Sequence, residues 1–366
     1  MPASSNTPEI KIEFHTSPVS DADRIQALES PGFGKVFTDH MVLARWTPDK
    51  GWHNAKVTPR RPLELDPASA VLHYAQEIFE GMKAYRADDG RILLFRPEEN
   101  ARRFAQSAIR MAMPPVPDEI FLKAVEELVR VDKDWIPSGD ASLYLRPFMF
   151  ANEAFLGVRP AQEYIFCIIA SPVGAYFKGG AKAVSLWVET EYTRAANGGT
   201  GAAKCGGNYA ASLIAQAEAS KRNCDQVVFL DAAEHRWVEE LGGMNVFFVM
   251  NDGSVVTPPL GGTILPGITR ASVIVLAEEK GLRVEQRPYS FAEWQADAVS
   301  GKLVEAFACG TAAVLAGIGL VRHAGGEFLI GDGQTGKLTT ELRQELVGLQ
   351  KGVTNDERGW TRRILV

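Results

Sequence analysis

Residues 198–209 read Gly-Gly-Thr-Gly-Ala-Ala-Lys-Cys-Gly-Gly-Asn-Tyr, so Lys204 is walled in by small residues just before a helix pattern that opens at Tyr209. No long neighbour shares solvent with this lysine, and glycines let a second molecule approach the backbone closely. Such a lysine is badly placed for a surface charge. Partial withdrawal from water lowers an amine's affinity for protons and supplies the free nucleophile that Schiff-base chemistry needs. The alternative is a buried lysine paired with a carboxylate. A Walker-type phosphate loop does not fit, because Ala203 precedes the lysine and Cys205 follows it. A dinucleotide G-x-G-x-x-G is also absent after the early strands, which leaves an NAD-type oxidoreductase with little support.

A chain of 366 residues exceeds one ordinary core, so two domains are expected. The net charge of -6 argues against nucleic-acid binding, which draws its affinity from lysines and arginines that neutralise phosphates. An anionic ligand must instead be held by local arginines and backbone N–H groups. The four cysteines are scattered and form no C-x-x-C pair, as suits reduced thiols in a cytosol. No histidine pair has metal-ligand spacing, so no metal site is expected. The polar first residues lack the apolar core of a signal peptide, and no run approaches the roughly 18 apolar residues of a membrane span. A cytoplasmic protein is the expectation.

Pattern divides the chain into a polar arm (1–30), a smaller α/β domain (31–170), an interdomain connection (171–181) and a larger α/β domain carrying Lys204 (182–366). Strand patterns fall at Val36–Trp46, Ile92–Phe95, Leu143–Ala151 and Tyr164–Ala170. Helices are predicted from Pro97 to Met111 and from about Asp118 to Val131, the first opening with proline in its favoured position. The connection is marked by a proline and three glycines after a fully apolar strand. Beyond it come a strand over 182–190, a helix from Tyr209 to about Arg222, and strands at Gln226–Leu230, Arg236–Glu239 and Asn245–Met250. A tight turn leads to Val255–Thr257, and a helix runs from Ile268 to Lys280, stopping at Gly281. The fold class is mixed α/β (α+β) in two domains.

The usual protein-borne aldehyde for a lysine is pyridoxal 5′-phosphate, which asks for an acid at its ring nitrogen, a donor near its ring oxygen and a phosphate cradle. Glu240, at a strand end before two glycines, is the candidate acid. Glu239 is its competitor, sent to the opposite face by strand alternation. The candidate cradle is Leu265-Pro-Gly-Ile268-Thr269-Arg270, which runs into an apolar helix whose free N–H groups suit a dianion. A second small loop, Cys309-Gly-Thr311-Ala312-Ala313, adds a hydroxyl and close-approach amides. Arg103 or Arg102, on one helix, supplies a cation, and Tyr209 lies five residues past the lysine.

Together these segments resemble the branched-chain aminotransferases, pyridoxal-phosphate enzymes of fold type IV, from about Gly32 to Trp360. The stretches that carry the likeness are Phe33–Met41, Leu72–Tyr85, Ser142–Pro147, Gly198–Ala211, Glu240–Asn245, Leu265–Arg270 and Gly310–Ala312. The resemblance implies that Lys204 forms the Schiff base, Tyr209 contacts the ring oxygen and Glu240 pairs with the pyridine nitrogen. It implies that Arg103, by the N-x-x-R pattern, holds the phosphate with the N–H groups of Ile268 and Thr269 and the hydroxyl of Thr311. The substrate α-carboxylate would lie on the Thr311 and Ala312 amides, aided by Tyr144. Phe33, Tyr74 and Tyr176 would form the apolar side-chain pocket, where each buried CH₂ contributes about 0.8 kcal/mol. Arg146 would be the bidentate partner of glutamate's distal carboxylate, too costly to bury alone. The expected partners are amino acids and 2-oxo acids, with a homodimer as the assembly, and the expected reaction is reversible ping-pong transamination.

The sequence departs from the family in two places. Ala313 and Ala316 stand where mammalian members carry a redox-active C-x-x-C, so that thiol control is not expected. Gly243 stands where some relatives have threonine, which removes a donor near the carboxylate.

Overall fold

The computed structural model describes residues 9–174 and 182–365. It divides into two compact units. The first takes the described residues up to 174, then Ala203–Gly206 and everything from Leu349 onward; the second takes 182–202 and Gly207–Gly348.

The first unit is built on strands β1 (Lys11–Ile12), β2 (His40–Thr47), β3 (Gly51–Pro59), β4 (Glu77–Phe79), β5 (Met82–Arg86), β6 (Ile92–Phe95), β7 (Ser142–Ala151) and β8 (Tyr164–Val173). They run in the order β1-β3-β2-β8-β7-β5-β6, with β4 also on β7, and every pairing but β1–β3 is antiparallel. Its helices are α1 (Asp21–Glu29), α2 (Ala70–Tyr74), α3 (Pro97–Arg110) and α4 (Asp118–Val131). Both long helices are amphipathic at the 3.6-residue period. α3 buries Asn100, Ala101, Phe104, Ser107 and Ala108, and α4 buries Ile120, Phe121, Ala124, Val125 and Leu128. Phe104 and Phe121 meet Phe166 of β8 with ring centroids 5.5 and 5.9 Å apart, which welds helices to sheet.

One expectation gains detail here and another is corrected. The polar N-terminal arm contributes β1 and α1, and its backbone is pinned to the sheet. The Val19 N–H donates to Asp39, and the His15 N–H donates to His40, whose other ring nitrogen lies 2.7 Å from Asp132. The Thr-Asp-His-Met stretch thus acts as an anchor for the arm. The chain's end returns to the first unit as well: Thr361–Ile364 pairs antiparallel with β6, although sequence order placed it with the second domain. Local pattern carries no information about such distant pairing.

The second unit holds β9 (Val184–Glu189), β10 (Gln226–Leu230), β11 (Val238–Leu241), β12 (Asn245–Met250), β13 (Ser254–Thr257), β14 (Arg283–Gln286), β15 (Leu303–Gly310), β16 (Val314–His323) and β17 (Gly326–Leu329). Their order is β11-β10-β9-β16-β15-β12-β13-β14, with β17 on β16. β9 runs parallel to both β10 and β16, so the sheet is mixed. The remaining helices are α5 (Gly206–Lys221), α6 (Ile268–Glu279), α7 (Phe291–Val299) and α8 (Lys337–Gln350). Phe248, Tyr289 and Trp294 are fully buried and form its aromatic centre. Among the described residues no helix is long and apolar enough to cross a membrane.

Candidate active site

Lys204 belongs to the first unit, not with the half of the chain that sequence order suggests. Three backbone bonds explain this placement. The Lys204 N–H donates to the Ser107 hydroxyl of α3 at 2.9 Å, and the Lys204 carbonyl accepts from the Phe79 N–H at 2.9 Å. Two residues on, the Gly206 N–H donates to the Glu77 carboxylate. That carboxylate sits at the first residue of α5, where a helix has spare donors. The helix therefore opens at Gly206, three residues earlier than expected. With its main chain fixed on both sides, the lysine's Nζ rests 4.6 Å from the centre of the Phe79 ring.

The same unit gathers four more of the candidates. Arg103 is buried, and its Nε and Nη2 donate to the two oxygens of Glu80 at 2.7 and 2.8 Å. Glu80 also accepts from the Asn100 amide at 2.7 Å and from the Gly81 N–H at 3.1 Å. The N-x-x-R spacing thus places one helical turn around a single carboxylate. Burial by itself would push the Glu80 carboxyl up, but the Arg103 guanidinium, with Lys204 adding to it, holds it below the usual carboxylate range. Arg102, the alternative, is exposed and pairs with Glu99.

Arg146 lies over the Phe79 and Tyr144 rings and donates to the Tyr144 hydroxyl at 3.1 Å. Its Nε is buried without a hydrogen-bond partner. Tyr144 in turn meets Phe33, ring centroids 5.2 Å apart, and its hydroxyl occupies the space a side chain at Gly81 would fill. Burial pushes the Glu77 carboxyl up, an effect that the Gly206 N–H and Arg146 offset only in part. Tyr74 is engaged elsewhere: its hydroxyl donates to the Leu156 carbonyl at the surface. Tyr176 lies outside the described residues.

The second unit assembles the rest. Glu240 is buried on β11, and its Oε1 meets Arg194 Nη1 at 2.9 Å and the Leu265 N–H at 2.8 Å. Asn245 of β12 bridges Glu240 Oε2 and the Leu265 carbonyl, at 3.3 and 3.0 Å. Glu240 is thereby tied to the loop that becomes α6 at Ile268. That helix carries no side-chain cap at Gly267, which leaves its first N–H groups for another acceptor. Glu239 takes the Thr263 hydroxyl instead, and burial pushes its carboxyl up.

Asn245 is paired in register with Cys309, which brings the Thr311–Ala312 turn alongside. Gly310 packs on Met244, and Gly243 packs on the Tyr209 ring, so tyrosine, acid, helix terminus and turn share one neighbourhood. Val314, which closes the turn, has φ +62°, a strained value for a β-branched residue. Burial pushes the Cys309 thiol up to about 12, which makes it an inert thiol.

Sequence reasoning missed Glu77, Glu80, Arg194 and Asn245 as site components. Glu77, Glu80 and Asn245 stood inside quoted motifs. For Arg194 the sequence carries no signal, since an arginine in a loop is ordinarily solvated.

Residues 77–321 match the family model described as amino-transferase class IV, and the chain belongs to this family. Its relatives include branched-chain-amino-acid aminotransferases. The branched-chain-amino-acid aminotransferase of Mycolicibacterium smegmatis is 54% identical over 361 residues, 97% of this chain and 98% of that one. The crystal structure of the Escherichia coli branched-chain amino acid aminotransferase superposes with a TM-score of 0.75 at 28% identity, over 89% of this chain and 99% of that one. The T.th. branched-chain amino acid aminotransferase, complexed with N-(5′-phosphopyridoxyl)-L-glutamate, gives a TM-score of 0.72 at 27% identity, over 88% of this chain and 98% of that one.

Proposed function

We propose that this chain is a pyridoxal-phosphate-dependent aminotransferase that passes the amino group of L-leucine, L-isoleucine or L-valine to 2-oxoglutarate, reversibly and by a ping-pong course. The observation that carries the reading is Lys204, its main chain fixed by Ser107 and Phe79 and its amine set against an aromatic face. The relatives named for this activity support it over nearly the full length.

The residues present fit the cofactor. When bound, pyridoxal phosphate supplies an aldehyde and an electron sink for the substrate's α-carbon. Lys204 provides the amine that attaches it and then carries a proton to and from the substrate's α-carbon. Glu240 serves the ring nitrogen and Tyr209 the ring oxygen. Arg103, aimed by Glu80 and Asn100, takes the phosphate with the N–H groups of Ile268 and Thr269 and the hydroxyl of Thr311.

For the substrate, Tyr144 and the Thr311 and Ala312 amides receive the α-carboxylate, while Phe33 and Tyr176 favour an aliphatic side chain. Arg146, with its unpartnered Nε, receives the distal carboxylate of glutamate or 2-oxoglutarate. On this reading the enzyme accepts an apolar and a charged side chain in alternate half-reactions.

We further propose a homodimer, supported by the exposed apolar side chains Leu72, Tyr74, Leu156 and Val158 on α2 and the loop after β7. Four buried, unpaired cysteines suit work in a reducing cytoplasm.

Amino-donor profiling with 2-oxoglutarate tests the assignment. L-Leucine, L-isoleucine and L-valine should be turned over and D-alanine should not, with Lys204→Ala inactive. Turnover of D-alanine alone, or full activity in Lys204→Ala, would overturn it.

A further inference from the structure

Two buried arginines that none of the roles above employs, Arg270 and Arg194, act electrostatically on Glu240, and Arg194 is ion-paired with it. The Arg194 guanidinium is 2% exposed and faces Glu240, 3% exposed, at 2.9 Å. Nη1 also donates to the Thr263 carbonyl at 2.9 Å, and Nη2 to the Gly201 carbonyl at 3.3 Å. One side chain thus ties three segments of the second unit together: the glycine run that precedes the lysine, the loop leading to α6, and the acid of β11. The packing here is close. A Cβ at Gly201 would collide with the Thr263 carbonyl oxygen, so only glycine fits where these backbones meet.

The arrangement also divides the carboxylate. Oε1 is occupied by Arg194 and the Leu265 N–H, while Oε2 accepts from the Asn245 amide at 3.3 Å. The arginine therefore helps to fix the orientation of the Glu240 carboxylate through Oε1. Desolvation of two charges is worthwhile only when the geometry is this well satisfied.

We propose that Arg194 is a positioning residue for catalysis: it orients the Glu240 carboxylate and keeps it charged, and so acts on the cofactor's ring nitrogen through Glu240 without touching cofactor or substrate. The proposal rests on the assignment of Glu240 to that nitrogen. A buried carboxylate stripped of its cation takes up a proton more readily. Loss of Arg194 should therefore mimic partial loss of Glu240.

The test is a double-mutant cycle on the holoenzyme with Arg194→Met, Glu240→Gln and the pair, with Arg194→Lys as the conservative variant. Arg194→Met is expected to lower kcat about 100-fold, the scale of breaking a buried pair, and to move the acidic limb of the kcat/KM profile up by a pH unit or more. The pH at which the visible absorbance of the bound cofactor changes should move the same way. Its dissociation constant, read by tryptophan fluorescence, should rise about tenfold or more. Arg194→Lys should restore most of the wild-type profile, and Arg194→Met should add little in the Glu240→Gln background.

Two results would overturn the proposal. In one, Arg194→Met lowers activity with unmoved pH profile and spectrum. In the other, its loss is as large beside Glu240→Gln as alone, the mark of a purely structural residue. A fully active Glu240→Gln enzyme would instead remove the reading beneath it, which keeps the two failures distinct. Should Arg194→Met not fold, Arg194→Gln takes its place: an upward displacement of its acidic limb supports the proposal, and an unmoved limb with lowered kcat opposes it.

Discussion

Replacing Glu80 by alanine removes the group on which Arg103, Asn100 and the Gly81 N–H converge. The pair it breaks is almost wholly buried, 8% exposed at Arg103 and 0% at Glu80, and its two main contacts are 2.7 and 2.8 Å long. Breaking a buried pair by deleting one partner costs about 3–5 kcal/mol, because the survivor keeps its charge without compensation. Two further donors are stranded, so a value near the middle, about 4 kcal/mol, is the expectation. At about 2–4 °C per kcal/mol for a unit of this size, the thermal midpoint should fall by about 8–16 °C.

The assay is thermal unfolding of cofactor-free protein, so that loss of a bound ligand does not contribute. The double variant Glu80→Leu with Arg103→Met should recover most of the loss, because an apolar pair replaces a charged one. The pH dependence has a definite sign. Glu80 is held below the usual carboxylate range, so its contribution is present above that range and is lost as pH falls through the lowered value. The gap between wild type and Glu80→Gln should therefore close in acid. A midpoint shift under about 2 °C for Glu80→Ala would refute the reasoning.

Three further sites probe other parts of the account. Glu239, pushed up by burial, destabilises the fold once pH rises past the usual carboxylate range, so Glu239→Gln should raise the thermal midpoint at pH 8 and leave it unchanged at pH 4. Gly201→Ala should cost about 1–3 kcal/mol in urea unfolding, through the clash with the Thr263 carbonyl. Its control, Gly207→Ala, meets nothing within 4 Å and should be neutral or stabilising by about 0.5–1 kcal/mol. Arg146→Leu should raise KM for 2-oxoglutarate by about 30-fold or more while leaving KM for L-leucine within about threefold, as steady-state kinetics with each substrate varied would read.

The elements readable from sequence were those whose signal is local. β6, α3, α4, β12 and α6 fall where periodicity and the opening proline or closing glycine place them. What stayed hidden depends on contacts between distant residues. β3 lacks strong alternation and exists because β2 pairs with it, and Thr361–Ile364 is a strand because β6 offers an open edge.

The site divides in the same way. Lys204 advertised itself through its small neighbours, and Glu240 through the glycines that follow. The groups that hold them did not. Glu77, Glu80 and Arg194 are charged residues that composition assigns to the surface, and only the assembled structure shows Glu77 half-buried, and Glu80 and Arg194 buried, against specific partners. Even Arg103, singled out by its spacing, owes that spacing to Glu80, which Asn100 also contacts one turn away.

The most direct test of the central claim is chemical. Holoenzyme reduced with borohydride, digested and mapped by mass spectrometry should carry a phosphopyridoxyl group on the side chain of Lys204, with the modification lost after incubation with L-leucine before reduction. A stable label on another lysine, or none at all in cofactor-saturated protein, would contradict the account.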